Sequence, residues 1–168
     1  MDFVKIPEER LGVLIGTNGK VKKEIEKRSK VNLEIDGTSV SVDGEGLAAW
    51  KACDVVNAIG RGFSPEYAFL IFNEDHVFET LNLKDYGTEK SWNRLRGRVI
   101  GQDGKIKKFI EQASGASLCI YGKTVSFIGK YDDVTLAREV VSMILSGSRY
   151  GSVRRFLEQQ NKKRFNAK

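Results

Sequence analysis

The sequence predicts an α/β chain of the α+β kind, two copies of one small unit followed by a last helix, on the strength of three observations. The stretch Gly97 to Lys108 (GRVIGQDGKIKK) repeats Gly12 to Lys23 (GVLIGTNGKVKK) at an offset of 85 residues. Between Leu11–Glu45 and Arg96–Lys130, 16 of 35 positions are identical without a gap, among them Ile25/Ile110, Leu33/Leu118, Ile35/Ile120, Gly37/Gly122 and Val40/Val125. Within each copy the apolar spacing passes from a helical period to strict alternation and back, which sets a strand pair between helices. Identity gathered at apolar positions and turns implies one fold used twice.

In chain order, Phe3–Ile6 is a short β-rich run stopped by Pro7, hence a first strand. Pro7 suits the first turn of a helix reaching about Val13, and Gly16 ends it. After Gly19, KVKKEIEKRSK carries Val21, Ile25 and Arg28 one turn apart, an amphipathic helix with a narrow apolar stripe. Val31, Leu33 and Ile35 alternate, Asp36-Gly37 reads as a hairpin turn, and Val40 and Val42 alternate again. A helix over Leu47–Gly60, with Trp50, Val55, Val56 and Ile59 at helical spacing, completes the order β-α-α-β-β-α. The second copy follows suit, with its first strand at Val77–Leu83 and an insertion around Lys84–Ser91. Ser64-Pro65-Glu66 starts a connecting helix whose apolar run, Tyr67–Phe72, is expected to pack the two domains together. Val153 to about Lys162 forms a basic amphipathic helix around Val153, Phe156 and Leu157. The expected boundaries are 1–62, 63–76 for the connector, 77–147, and 148–168 for the basic tail.

The net charge of +6 lies wholly beyond residue 148: Arg149–Lys168 holds seven basic residues against Glu158 alone. Elsewhere charge is balanced but polarised. Six basic and two acidic residues occupy Gly16–Lys30, and six basic and one acidic occupy Arg94–Lys108. Positive charge collects at both glycine turns and at the tail, which suggests a polyanionic partner. Cys53 and Cys119 stand far apart with no Cys or His at ligand spacing and read as small core residues. The amino terminus has no signal-peptide pattern and no apolar run is long enough to cross a bilayer, so a reducing, cytoplasmic location without membrane attachment is expected.

Chemistry points to the paired Gly-x-x-Gly turns, Gly16–Gly19 and Gly101–Gly104. Glycine admits positive φ and has no Cβ to hold a sugar-phosphate chain away, and the following helix offers N–H groups and a positive dipole end. The candidate RNA-binding set in the first copy is Ile15, Gly16, Thr17, Asn18, Gly19, Lys20, Lys22 and Lys23. In the second it is Arg94, Arg96, Arg98, Ile100, Gly101, Gln102, Asp103, Gly104, Lys105, Lys107 and Lys108, with Arg154 and Arg155 on the tail. Asp103 weakens the positive field of its turn or accepts a hydrogen bond there. Leu14, Ile15 and Leu33, with Val99, Ile100 and Leu118, are expected to floor grooves for unstacked bases. A nucleotide-binding Walker turn is excluded, because Leu14 and Val99 stand where it needs glycine, and Val21 and Ile106 where it needs Ser or Thr. No nucleophile or carboxylate cluster recurs, and the single histidine, His76, reads as a strand-surface residue. No enzyme activity, cofactor or metal is expected.

The β-α-α-β-β-α order with I-G-x-x-G-K between its first two helices resembles the type I K-homology (KH) domain, twice over residues 1 to 147. That resemblance implies two domains, each a three-stranded antiparallel sheet packed on helices, clamping about four nucleotides of single-stranded nucleic acid at the loop. From Phe78 onward, FETLNLKDYG, RLRGRVIGQDGKIKKFIE, TVSFIG, LAREVV, MILSG and GSVRRF resemble the Dim/Krr group of ribosome-assembly factors, in particular the partner-of-Nob family. The intact first loop, Gly16-Thr17-Asn18-Gly19, resembles the archaeal members. The resemblance implies binding to precursor small-subunit rRNA near its 3′ end, in the pre-small ribosomal subunit, beside a Nob-type endonuclease. A general single-stranded RNA or DNA binder and a KH-fold protein scaffold are the other function classes open to this sequence.

Overall fold

The computed structural model describes residues 1–168, which divide into two compact units, Met1–Phe78 and Glu79–Lys168. The first unit runs β1 (Asp2–Lys5), α1 (Glu8–Ile15), α2 (Lys20–Ser29), β2 (Asn32–Asp36), β3 (Ser39–Asp43), α3 (Gly46–Gly60) and α4 (Pro65–Ala68). Its sheet is antiparallel in the order β1-β3-β2, with Val4 opposite Val40 and Leu33 opposite Val42. Alternation turns Val4, Leu33, Val40 and Val42 to one face, where all four are buried. Ile25 of α2 and Ala52, Val55, Val56 and Ile59 of α3 are fully buried, so the three-residue and four-residue spacings of both helices supply the other half of this core.

The plan repeats with β4 (His76–Asn82), whose first three residues precede the second unit's boundary, and then α5 (Glu89–Ile100), α6 (Lys105–Ser114), β5 (Ser117–Tyr121), β6 (Thr124–Lys130), α7 (Tyr131–Leu145) and α8 (Tyr150–Asn166). The order of this sheet is β4-β6-β5, and Leu118 faces Phe127 as Leu33 faces Val42. The fold is therefore α+β, two three-stranded antiparallel sheets with helices and a C-terminal helix. No helix is long and apolar enough to cross a membrane.

Several local expectations shift. The first hairpin turns at Gly37-Thr38, because Asp36 stays in β2 opposite Ser39 and Gly37 takes the positive φ of 56°. The connector is the single turn α4 followed by a 3-10 turn at Phe69–Phe72, not one helix. Its buried residues, Ala68 and Ile71, are three apart, the repeat of a 3-10 turn, and they pack against α3. Cys53 and Cys119 are half-buried rather than core, and neither is in a disulfide.

The basic tail is a docked helix. Val153 and Leu157 of α8 are buried, and α8 packs on α6 and α7. Asn161 donates to the carbonyl of Ala113 at 3.0 Å, and Arg164 donates to the carbonyl of Ser114 and to Asp133. These bonds satisfy carbonyls at the end of α6 that its own helix leaves free. Moreover, α8 keeps the 85-residue register: Gly62 and Gly147 both have φ of 100°, Ser64 and Arg149 are the N-caps, and α4 and α8 start at Pro65 and Tyr150. The tail is the long counterpart of α4, not an addition peculiar to the second copy.

One half-buried acid sets a pH dependence. Burial pushes the carboxyl of Asp54, on α3, up to about 6, and Lys51 only partly opposes this. Its native pKa lies above the unfolded value, so ionisation opposes folding, and the cost appears as pH rises from about 4 through about 6. Asp54→Asn is expected to raise the urea midpoint at pH 8 and to leave it nearly unchanged below pH 4. An equal shift at both would show that the effect does not come from ionisation.

Candidate nucleic-acid interface

Both glycine turns have the same backbone. Gly16, Asn18 and Gly19 have φ of 74°, 55° and 71°, and Gly101, Asp103 and Gly104 have 72°, 55° and 73°. Asparagine and aspartate are the side chains that best tolerate this left-handed region, which accounts for Asp103 where Asn18 stands in the other copy. The two glycines of each turn differ in role. A Cβ on Gly16 would lie 2.9 Å from the backbone nitrogen of Val21, and one on Gly101 2.9 Å from that of Ile106. The first glycine thus lets α1 and α2, or α5 and α6, meet at the turn. At Gly104 a Cβ would meet nothing within 4 Å, so the second glycine keeps open the space through which a phosphate chain can approach.

Helices α2 and α6 start directly from Gly19 and Gly104 with no acidic residue in the first turn and no side-chain cap. The Lys20 and Lys105 N–H groups donate to the Thr17 and Gln102 carbonyls, no side-chain charge opposes the positive dipole ends, and Lys20, Lys23, Lys105 and Lys108 are exposed beside them. Thr17, Asn18, Gln102 and Asp103 are exposed on the turns, and Arg94 is exposed on α5.

Other candidates are spent within the fold. Lys22 pairs with Glu26 at 3.1 Å and Lys107 with Glu111 at 3.5 Å, and all four are half-buried. The same carboxylates accept the backbone N–H of Leu33 and Leu118, each at 2.9 Å, capping the free edges of β2 and β5. Arg96 donates to the carbonyl of Gly122 and to Asn93, tying α5 to the β5–β6 turn. Arg98 donates to the carbonyls of Ile144 at 2.7 Å and Ser148 at 2.8 Å, and its guanidinium lies 5.9 Å from the centre of the Tyr150 ring. Charge alone had marked these side chains as contacts. Their donors already serve carbonyls and carboxylates, so Arg98 above all is a framework residue.

The apolar floor is also narrower than expected. Leu14, Leu33, Val99 and Leu118 are core residues with almost no exposed surface, because each faces the sheet-helix interior. Only Ile15, 38% exposed, and Ile100, half-buried, present apolar surface at the helix ends before the turns. On α8, Arg155 is exposed, and Arg154 is exposed with its guanidinium 5.2 Å from the ring centre of Phe109. His76 pairs with Asp75 at 2.7 Å at the start of β4. Tyr150, Phe109 and the Glu26/Glu111 pair escaped the sequence reading. The identity of Glu26 and Glu111 in both copies was a usable signal; Tyr150 and Phe109 have no like residue in the first copy.

Residues 77–162 match the family profile of the second KH domain of PNO1, described as a eukaryotic-type KH domain of type I, and residues 2–57 match that of the KH domain. A KH domain-containing protein of Methanocaldococcus jannaschii is 43% identical over 97% of this chain and 75% of its own length. The pre-rRNA-processing protein PNO1 of Yarrowia lipolytica is 34% identical over 81% of this chain and 54% of its own, so the chain spans about half the length of that relative. Among solved structures, Dim2p in the a/eIF2α–aDim2p–rRNA complex of Pyrococcus horikoshii is similar at a TM-score of 0.90, with 44% identity over 96% of this chain and 94% of that one. Matched turns, sheet order and these likenesses agree: the chain belongs to the PNO1/Dim2-type family of KH-domain proteins.

Proposed function

We propose that this protein is a non-enzymatic, RNA-binding ribosome-assembly factor that holds precursor small-subunit rRNA near its 3′ end and assists maturation of that end. The observation that carries this reading is the pair of superimposable left-handed turns, each opening a helix whose first turn lacks acidic residues and is flanked by exposed lysines. Such a turn binds the backbone of single-stranded RNA while its bases lie beside it. The rRNA in the neighbouring Dim2p complex and the pre-rRNA processing named for the PNO1 relative support the choice of RNA. The second turn is the principal clamp, because Arg94 and the α8 cations add to it, whereas Glu9 stands at the place of Arg94 in the first unit. A Nob-type endonuclease acting on the same RNA end, within the pre-small subunit in the cytoplasm, is the partner this role requires.

Crosslinking the protein to cellular RNA and mapping the crosslinked nucleotides tests the proposal. Crosslinks concentrated at the 3′ end of precursor small-subunit rRNA are expected. Crosslinks spread over unrelated transcripts would replace this reading with that of a general single-stranded nucleic-acid binder. Their absence, with protein partners still recovered, would make the chain a scaffold.

A further inference from the structure

Two hollows adjoin in the second unit, one of about 400 Å³ beside the glycine turn and one of about 450 Å³ between α6 and the first turns of α8. They share Lys105, Ile106 and Tyr150, so they form one continuous cleft leading away from Gly101 and Gln102. We propose that this cleft is a nucleotide-binding subsite, separate from the glycine clamp, that takes the stretch of single-stranded RNA adjoining the clamped nucleotides. The proposal rests on the RNA-binding reading above and adds a place and a chemistry to it.

Charge, shape and continuity select that occupant. Neither hollow is lined by any Asp or Glu, whereas Arg94, Lys105 and Arg154 stand around them. The other clefts of this unit do contain acids: Glu79 and Glu139 in one, Asp132 and Asp133 in another. The farther hollow has an apolar floor that includes Ile110, Ile144 and Val153. Its wall carries Phe109, with the Arg154 guanidinium 5.2 Å from the ring centre, and Tyr150, 42% exposed. The Tyr150 hydroxyl donates to the Arg98 carbonyl at 2.8 Å, which fixes the ring at the junction of the two hollows. A held aromatic ring with a cationic rim is the arrangement on which unstacked bases lie while their phosphates follow the charges.

The first unit lacks this subsite. In the shared register, Glu24 replaces Phe109, Glu9 replaces Arg94, Pro65 replaces Tyr150 and Phe69 replaces Arg154. Phe69 and Phe72 instead lie under Arg28, whose guanidinium is 5.0 Å from the Phe69 ring centre and 5.9 Å from that of Phe72. Strand length beyond the clamp is therefore read by the second unit alone.

The test titrates the full chain with random-sequence single-stranded RNA pools four and eight nucleotides long, since a KH clamp takes about four. The intact protein is expected to bind the eight-mers more tightly. Tyr150→Leu and Arg154→Gln are each expected to lower eight-mer affinity roughly tenfold, the scale of one stacked base, and to lower four-mer affinity much less. Equal loss for both lengths, with the thermal midpoint preserved, would overturn a separate subsite. Unchanged eight-mer affinity in both variants would overturn RNA as the occupant. If the intact chain bound neither pool, the RNA-binding reading would fall with the subsite. If four-mers bound and the variants had no effect, the subsite would fall alone.

Discussion

Gln102→Asp is expected to lower the affinity for single-stranded RNA by about tenfold or more, and Thr17→Asp in the first loop by less. A carboxylate about 4 Å from a phosphate costs ~1 kcal/mol in bulk water and up to ~4 kcal/mol at the dielectric of a protein surface, so tenfold, about 1.4 kcal/mol, lies inside that range near its lower end. Gln102 and Thr17 are both exposed and both lie outside the left-handed region, so neither replacement strains its turn. The asymmetry has two sources. Asp103 already places one negative charge in the second turn, and a second beside it would cancel most of the field that Lys105 and the start of α6 supply. Gln102 also lines the cleft that leads toward Tyr150, whereas the first unit has no such continuation. Titration at fixed salt checks the ranking; equal losses would make the two turns equivalent clamps, and no loss in either would remove both turns from the RNA.

The other large effect is on stability. Arg98→Met is expected to destabilise the second unit by roughly 1–3 kcal/mol, because it leaves the part-buried Ser148 carbonyl without its donor and takes one of the donors from the Ile144 carbonyl, which keeps the Gly147 N–H at 3.1 Å. Those carbonyls, of Ile144 and Ser148, end α7 and lead into α8, where helical hydrogen bonding runs out. The first unit solves the same problem with another residue: Arg10 donates to the carbonyls of Ile59 and Phe63, each at 2.8 Å. Ile59 and Phe63 correspond in register to Ile144 and Ser148, yet Arg10 corresponds to Leu95 and Arg98 to Val13. One guanidinium reaches the same carbonyl pair from a position about one helical turn farther along α5 than along α1. Arg94→Met, by contrast, should change stability by no more than about 0.5 kcal/mol, as exposed surface changes do, and should weaken RNA binding instead. Urea unfolding of the two variants separates the roles; a stable Arg98→Met protein with weakened RNA binding would return Arg98 to the interface.

Much of this protein follows from local pattern. The β-α-α-β-β-α order, the two turns and the core faces through Ile25/Ile110, Leu33/Leu118 and Val40/Val125 come from the sequence alone, because a helix or strand buries whatever its own period brings to one side. The turn conformation was equally legible, since Gly-x-x-Gly with Asn or Asp at the third place admits three left-handed residues. Tertiary structure alone decided which arginines are available. Lys22 and Lys107 meet carboxylates four residues on in their own helices, a pattern open to sequence, but Arg96 and Arg98 look as basic in sequence as Arg94, and Arg98 finds acceptors 46 and 50 residues away and Arg96 one 26 residues away. The cleft at Tyr150 arises in the same way, where α8 crosses α6. Periodicity determines which way a side chain faces; what it meets there depends on where a distant element crosses, and no local repeat encodes that.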